Sequence, residues 1–536
     1  MKISIERKTG QVIASEDVRV HSARLTIQGQ VERLHSSAQT TWHPSLDEVE
    51  GYLASLPCES FVTGVTALEG RFLVLWQDQF NLYICCDRYG LHPIYYRLTP
   101  ASLELFDRIL NGSYPLFIPR DNALAFLLLR FMPGRHTLFD GIDQLMPGDC
   151  LLLKTMTGEV AIESVCVYPS KSIGEVDEEG ASHTFHALFR EGLEKRIQAY
   201  NHGEKLLLPL SGGLDSRYLL GTALELVAPS RIVSMTFGTP GSYDYEIGRQ
   251  VAEAAGVRHV AYPLSPDNYS AEAFQNNCRD TDGQISFTTE APVETYQDFA
   301  QYGSVVLSGY VGDTVMGKKV HPHMVIDRRS IVLDDVIIKS DDPLTGYLAS
   351  QIVEDSYYYE NWEAPSLTAP ELWFFINHFT KYSIYCVCKY REHFKYVSPF
   401  IDYAFLDYVL NLPSEFRNSR RLYFSWLERH FPGLSALPCS SFRGAPLSAS
   451  PHLKWLAHQW DRLNHYGFGI NRTINKIDLP RFYEQLLEPD QLQSGFASVF
   501  PSEFMQRMFG SRRYYFLLYN LKCLEILRLN FGAEIG

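Results

Sequence analysis

The chain predicts an α/β protein: a strand-rich first domain, then a parallel α/β domain extended by helices. Three observations point there. An apolar run of strand length, 205–210, feeds a Ser-Gly-Gly turn and a segment from Ser216 to Val227 with helical apolar spacing. Beyond it strand and helix alternate at 232–238, 244–255 and 259–264, the order of a parallel sheet with crossover helices. Residues 1 to about 112 read as short strands and turns, while 340–536 is mostly helical and rich in aromatic residues.

The 536 residues leave room for two or three domains with large cores. A hydrophobic content of 46% and a charged content of 21% fit an ordinary soluble protein. The formal charge of −14 offers no basic footprint for nucleic acid or an anionic membrane, so neither partner is expected. No apolar run reaches the ~18 residues of a membrane span, and the opening lacks a signal-peptide core, so a cytoplasmic location is expected. Ten cysteines include Cys85-Cys86 and Cys386-x-Cys388 but no Cys-x-x-Cys, and the 17 histidines show no His-x-x-x-His spacing. Reduced core thiols follow, with no zinc site, and His321-Pro322-His323 reads as a loop.

In Leu210-Ser211-Gly212-Gly213-Leu214-Asp215-Ser216, two glycines let the backbone approach a polyanion. The following helix offers unpaired N–H groups and its positive dipole end, and Ser211 and Ser216 add hydroxyl donors. Asp215 repels phosphates unless Mg²⁺ sits between, so a metal bridge is expected. No Gly-Lys-Ser/Thr ending follows, which excludes the Walker loop. Ser-Gly-Gly-Leu-Asp-Ser instead resembles the loop of ATP-pyrophosphatases, which implies cleavage of ATP to AMP and pyrophosphate. Ligands of a parallel sheet gather at the carboxyl ends of its strands. Thr236, Phe237 and Gly238 end the next strand and are the adenine candidates, through backbone contacts. A third such end, with Ser308, Gly309 and Asp313, repeats the apolar run, Ser-Gly turn and carboxylate. Asp215 and Asp313 can then share Mg²⁺ with the ATP phosphates.

Ahead of the loop, 68–76 and 82–96 read as a hairpin of buried strands, and 130–148 carries corner turns leading into a strand at 150–154. Asp87-Arg88-Tyr89-Gly90-Leu91-His92-Pro93-Ile94-Tyr95-Tyr96 resembles a stretch of the N-terminal glutaminase domain in glutamine-dependent asparagine synthetases. Thr137, Phe139, Gly141-Ile142, Leu145 and Pro147-Gly148 resemble the run that closes that domain. The Ser308–Gly309–Asp313–Gly317 pattern resembles a second loop of the family, with Thr314 where glutamate is usual. Pro399-Phe400-Ile401-Asp402 is similar to the family's Pro-Phe-Leu-Asp, and Asp402 reads as a helix cap. The resemblance implies a glutaminase-like (Ntn-type) αββα domain over 1–168, a polar linker over 169–180, and an ATP-pyrophosphatase domain with a helical extension over 181–536. It also implies a cysteine directly after the initiator Met. Lys2 stands there and the first cysteine is Cys58, so a first domain that no longer hydrolyses glutamine is expected.

The family resemblance further implies a two-step ligation: a carboxylate attacks the α-phosphate of Mg·ATP, and an amine then attacks the acyl-adenylate. Arg443 takes the place of a family lysine and would stabilise the departing pyrophosphate. Counting back from Pro399 puts Lys395 where the family has its catalytic glutamate; a lysine serves as base there only with a depressed pKa. Glu392 would share its face if the segment is helical. Members similar to this one in lacking the nucleophile, β-lactam synthetases and lasso-peptide cyclases, take the amine from the substrate itself. The expectation is therefore an AMP-forming amide ligase using ATP and Mg²⁺ on small-molecule or peptide carboxylates and amines, intramolecular cyclisation included. A homodimer is compatible with the sequence. An ammonia-dependent asparagine synthetase and a nucleotide-binding scaffold that has lost ligation stay open as alternatives.

Overall fold

The structure is a computed structural model; it describes all residues except 8–10, 17–18, 23, 36–39, 113, 166, 169–172, 174–175, 201–202, 287–290, 318–343, 345–366, 368, 389–392, 468–486, 488 and 511–513. Two antiparallel sheets form the first domain. One runs in the order β11 (Asp143–Gln144), β8 (Tyr95–Leu98), β9 (Ser102–Phe106), β1 (Lys2–Glu6), β2 (Val12–Glu16). The other runs β13 (Glu159–Ser164), β12 (Asp149–Lys154), β7 (Asn81–Cys86), β6 (Leu68–Gln77), β4 (Leu25–His35), β3 (Arg19–Val20), with β5 (Thr40–Trp42) on β4. Alternation drives their stacking: β1 buries Ile3 and Ile5 and exposes the residues between to a greater extent. Ile3, Ile5, Leu103 and Leu105 of one sheet pack on Leu73, Leu75, Ile84 and Leu151 of the other. The outer face of the larger sheet is covered by α1 (Leu46–Ser55) and α2 (Phe61–Val65), whose Val49, Leu53 and Phe61 lie against Val74 and Trp76. The outer face of the smaller is covered by α3 (Arg120–Leu129), which joins Tyr95 and Phe106 in one core. The layers are helix, sheet, sheet, helix.

The expected second strand of the 68–96 hairpin stops early. After β7 the buried Asp87 carboxylate accepts the N–H groups of Tyr89, Leu91 and His92 at 3.3, 2.8 and 3.0 Å, and Gly90 turns with φ 64°. Three donors bound to one side chain cannot join a ladder, so the chain folds back before β8.

Half of the linker expected at 169–180 lies outside the described residues, and α4 (Glu178–Tyr200) opens the second domain. Five parallel strands follow in the order β16 (Arg258–Pro263), β15 (Ile232–Gly238), β14 (Leu206–Pro209), β17 (Val305–Leu307), β18 (Lys395–Val397). Every residue of β15 is buried, as a strand covered on both faces requires. The sequence order runs from β14 outward to β16 and then restarts on the other side at β17, so the switch point lies between β14 and β17.

Charged groups tie the two domains together. Asp402 caps the helix Tyr403–Asn411, accepting from Phe405 N at 3.1 Å, and it also receives Arg33 Nη2 at 2.8 Å and Arg196 Nη1 at 2.7 Å. Arg33 Nε lies 3.0 Å from Glu69 Oε2, and Arg196 Nη2 lies 3.1 Å from Glu32 Oε2. Burial alone would raise the pKa of Asp402, but Arg196 and Arg33 hold it below the usual carboxylate range. Arg88 of the Asp-Arg-Tyr-Gly turn adds a second tie, a bidentate pair with Asp407 at 2.9 and 2.6 Å. Among the described residues no helix is long and apolar enough to cross a membrane.

Candidate functional site

β14 delivers Leu210–Ser216 to the switch point, and α5 (Asp215–Leu226) starts directly behind it. The loop is closed by its own side chains: Ser211 N donates to Ser216 Oγ at 3.2 Å, and Gly213 N donates to Ser211 Oγ at 3.2 Å. Gly212 N donates to Asp244 Oδ1 at 3.1 Å, a carboxylate of α6 (Tyr243–Ala254). An anionic oxygen therefore already sits on a loop N–H, which is the interaction a phosphate would make.

The neighbouring loop after β17 approaches at contact distance. Asp313 N donates to Asp215 Oδ2 at 3.1 Å. Glycine makes this possible: a Cβ on Gly312 would come within 2.7 Å of Asp215 Cγ, and one on Gly309 within 2.8 Å of Ser216 N. Asp215 Oδ1 is buried with no hydrogen-bond donor, the Tyr423 hydroxyl coming near but not into bonding geometry. Burial foremost, and then the Asp313 carboxylate, push the pKa of Asp215 up to about 7. A buried, electron-rich oxygen left unpaired beside a second carboxylate fits a divalent cation, and Asp215 and Asp313 are the residues that would hold it. Among the described residues no cluster of three or more His, Cys, Asp or Glu side chains offers a complete protein cage. The remaining ligands would have to come from phosphate and water.

At the end of β15, Leu210 N donates to Met235 O at 2.7 Å and the Thr236 hydroxyl donates to Leu210 O, so Thr236, Phe237 and Gly238 lie beside the loop. Thr236 is spent on that bond, leaving backbone groups to meet a ligand. The segment that carries Arg443 also arrives: Ser440 N donates to Gly212 O at 3.0 Å. Arg443 Nε lies 3.4 Å from Asp461 Oδ2, so its charge is partly committed to that carboxylate. Lys395 is elsewhere. It pairs in register with Val305 at the amino end of β18, exposed, its Nζ 5.4 Å from the Tyr200 ring. About 7 Å of strand separates it from the level of Leu307, where the loop carrying Asp313 begins. Counting back from Pro399 leads to the amino end of a strand, away from that loop. Glu392 lies outside the described residues.

Several site residues carried no sequence signal. Arg217, fully buried, donates to four carbonyls, those of Gly212, Leu434, Leu437 and Pro438, and clamps the loop to the chain leading to Arg443. Arg420, facing Asp215 electrostatically, begins the helix Arg421–His430, which carries Tyr423. Of the six described non-glycine residues with positive φ, three border this loop: Val311 at 68°, Arg420 at 61° and Arg443 at 54°. Backbone strain of this kind clusters at active sites and ligand clamps.

Comparison with known proteins adds the family. The asparagine synthase family model matches residues 188–360. Asparagine synthetase [glutamine-hydrolyzing] 1 of Bacillus subtilis (strain 168) is 19% identical over 208 residues, covering 38% of this chain and 32% of that protein. A probable asparagine synthetase [glutamine-hydrolyzing] of Acanthamoeba polyphaga mimivirus is 23% identical over 211 residues, covering 37% and 36%. The chain thus spans about a third of the length of the curated relatives it matches. Among solved structures, the glutamine phosphoribosylpyrophosphate amidotransferase of B. subtilis aligns over 56% of this chain and 58% of its own at 9% identity and TM-score 0.18. An allosteric regulatory enzyme of purine biosynthesis aligns over 67% and 82% at 11% identity and TM-score 0.19. Both superpose too loosely to carry weight. The matched stretch holds the Ser-Gly-Gly-Leu-Asp-Ser loop and the Asp313 turn together, and over that stretch the chain is similar to the asparagine synthetases.

Proposed function

We propose that the protein is an ATP-dependent amide-forming ligase that activates a substrate carboxylate as its adenylate. The observation that carries this is the meeting of Asp215 and Asp313 at the switch point, with Asp215 Oδ1 buried and unpaired at the mouth of the Ser-Gly-Gly loop. Mg²⁺ bound there would neutralise the charge of the ATP phosphates. The loop N–H groups and the start of α5 orient the triphosphate, and Arg443 and Arg420 offer positive charge where pyrophosphate departs. A substrate carboxylate oxygen bonds to the α-phosphorus, the bond to the bridging oxygen of the β-phosphate breaks, and pyrophosphate leaves. An amine then bonds to the acyl carbon, AMP leaves, and a proton passes from nitrogen to a base.

The amine comes from a source other than glutamine. Supporting this, every cysteine whose side chain is described is buried except Cys58, which donates to the Asp78 carboxylate at 3.7 Å. Burial raises the Cys86 thiol well above its ordinary pKa, as it does Cys85, whereas a nucleophilic thiol needs the opposite shift. Lys395 has no part in the second step under this account, because of its place on β18. Carboxylate-dependent exchange of labelled pyrophosphate into ATP tests the proposal. Exchange that requires Mg²⁺ and one carboxylate, and is unaffected by glutamine, is expected; exchange with no carboxylate present would contradict the proposal, and none with a broad pool of acids while ATP still binds would favour a retired nucleotide-binding scaffold.

A further inference from the structure

The helix Pro451–Gly467 stands on the protein by its polar side. Asp461 accepts from Tyr243 Oη at 3.0 Å and pairs with Arg443, and Lys454 Nζ lies 4.5 Å above the Phe442 ring. Roughly 130° around the helix, at 3.6 residues per turn, Leu453, Leu456, Trp460 and Leu463 form one apolar stripe. That stripe faces out: the four side chains are 50%, 43%, 63% and 52% exposed. Surface helices normally turn such a stripe inward, so this one is built to be covered.

We propose that the stripe is a self-association face on which two copies of this chain pair antiparallel about a two-fold axis at residue 458. Two features favour a second copy. The spacing of three, four and three residues reads the same in both directions, so an antiparallel copy sets Leu453 against Leu463 and Leu456 against Trp460, with no like charges opposed on the stripe. It is also the spacing of a coiled-coil seam. The area is sufficient as well. Pairing covers roughly 800 Å² of apolar surface plus a polar rim, which reaches the ~1,000 Å² of a specific interface. Because Asp461 on the same helix holds Arg443, the paired face lies one helix away from the Gly212 loop.

Sedimentation velocity on the full chain tests this, with Leu456→Lys and Trp460→Glu made separately and checked for an unchanged melting temperature. Wild type is expected to dimerise, and each charged variant to raise the dimer dissociation constant by on the order of 100-fold or more. The geometry makes a sharper demand. In a mixed pair the introduced lysine of one variant meets the introduced glutamate of the other, while native Trp460 meets native Leu456, so an equimolar mixture of the two monomeric variants is expected to dimerise. Wild type that stays monomeric up to ~100 µM, with or without affinity for anionic vesicles, overturns the proposal. So does a dimer that survives both substitutions, or a mixture of folded variants that stays monomeric.

Discussion

Replacing Asp402 by alanine removes the carboxylate on which two guanidinium groups of different origin converge, Arg33 from β4 and Arg196 from α4. Both arginines remain buried, each left with one glutamate, and the helix Tyr403–Asn411 loses its cap. Removing one partner from a buried ionic network costs about 3–5 kcal/mol, and loss of an N-cap about 1 kcal/mol; because the effects share one side chain, about 4 kcal/mol in all is expected. That is a large share of the 5–15 kcal/mol typical of a folded domain. The assay is urea unfolding, with wild type and variant compared at neutral pH. The pKa of Asp402 is lowered in the fold, so its contribution is fully present above 3.8 and is lost as pH falls through the folded value. The two proteins should converge in acid. A loss below ~1 kcal/mol, or a gap unchanged by acid, would refute the ionic account of this aspartate.

Gly312→Ala should leave the fold intact but abolish Mg·ATP turnover, since its Cβ falls 2.7 Å from Asp215 Cγ; overpacking of this kind costs about 1–3 kcal/mol, and unimpaired turnover would mean the two loops need not touch. Arg217→Met strands four carbonyls and should lower stability by about 3 kcal/mol, with weaker nucleotide binding by calorimetry. Lys381, buried with one hydrogen bond to His136 O, has its pKa lowered to about 7 chiefly by burial. The unfolded chain binds that proton up to about 10.5, so wild-type stability should rise between about pH 7 and pH 10; Lys381→Met should flatten that rise and be the more stable protein at pH 7 by thermal melting.

The Ser-Gly-Gly loop is legible because its signals are local: an apolar strand, two glycines and a helical period all fall within 205–227. The Asp313 turn followed by repetition of the same pattern. What escaped were roles set by distant partners. Asp402 looks like a cap and is one, but Arg33 and Arg196 reach it from 369 and 206 residues away. Arg217 binds only carbonyls, which leave no mark in a sequence. Asp87 breaks a strand through its side chain, where apolar continuity predicted extension. Counting along the chain gives Lys395 a position but not a level, because the end of a parallel strand that a residue occupies is set only when the partner strand fixes the register.

Under the proposed function, ATP is split between its α and β phosphates at the Asp215–Asp313 site. The most direct measurement is the identity of the nucleotide product, resolved by chromatography after incubation of Mg·ATP with pooled carboxylates, for wild type and Asp215→Ala. AMP and pyrophosphate in equal amounts, lost in the variant and indifferent to added glutamine, are predicted. ADP and phosphate as products, or pyrophosphate release that survives Asp215→Ala, would contradict the account.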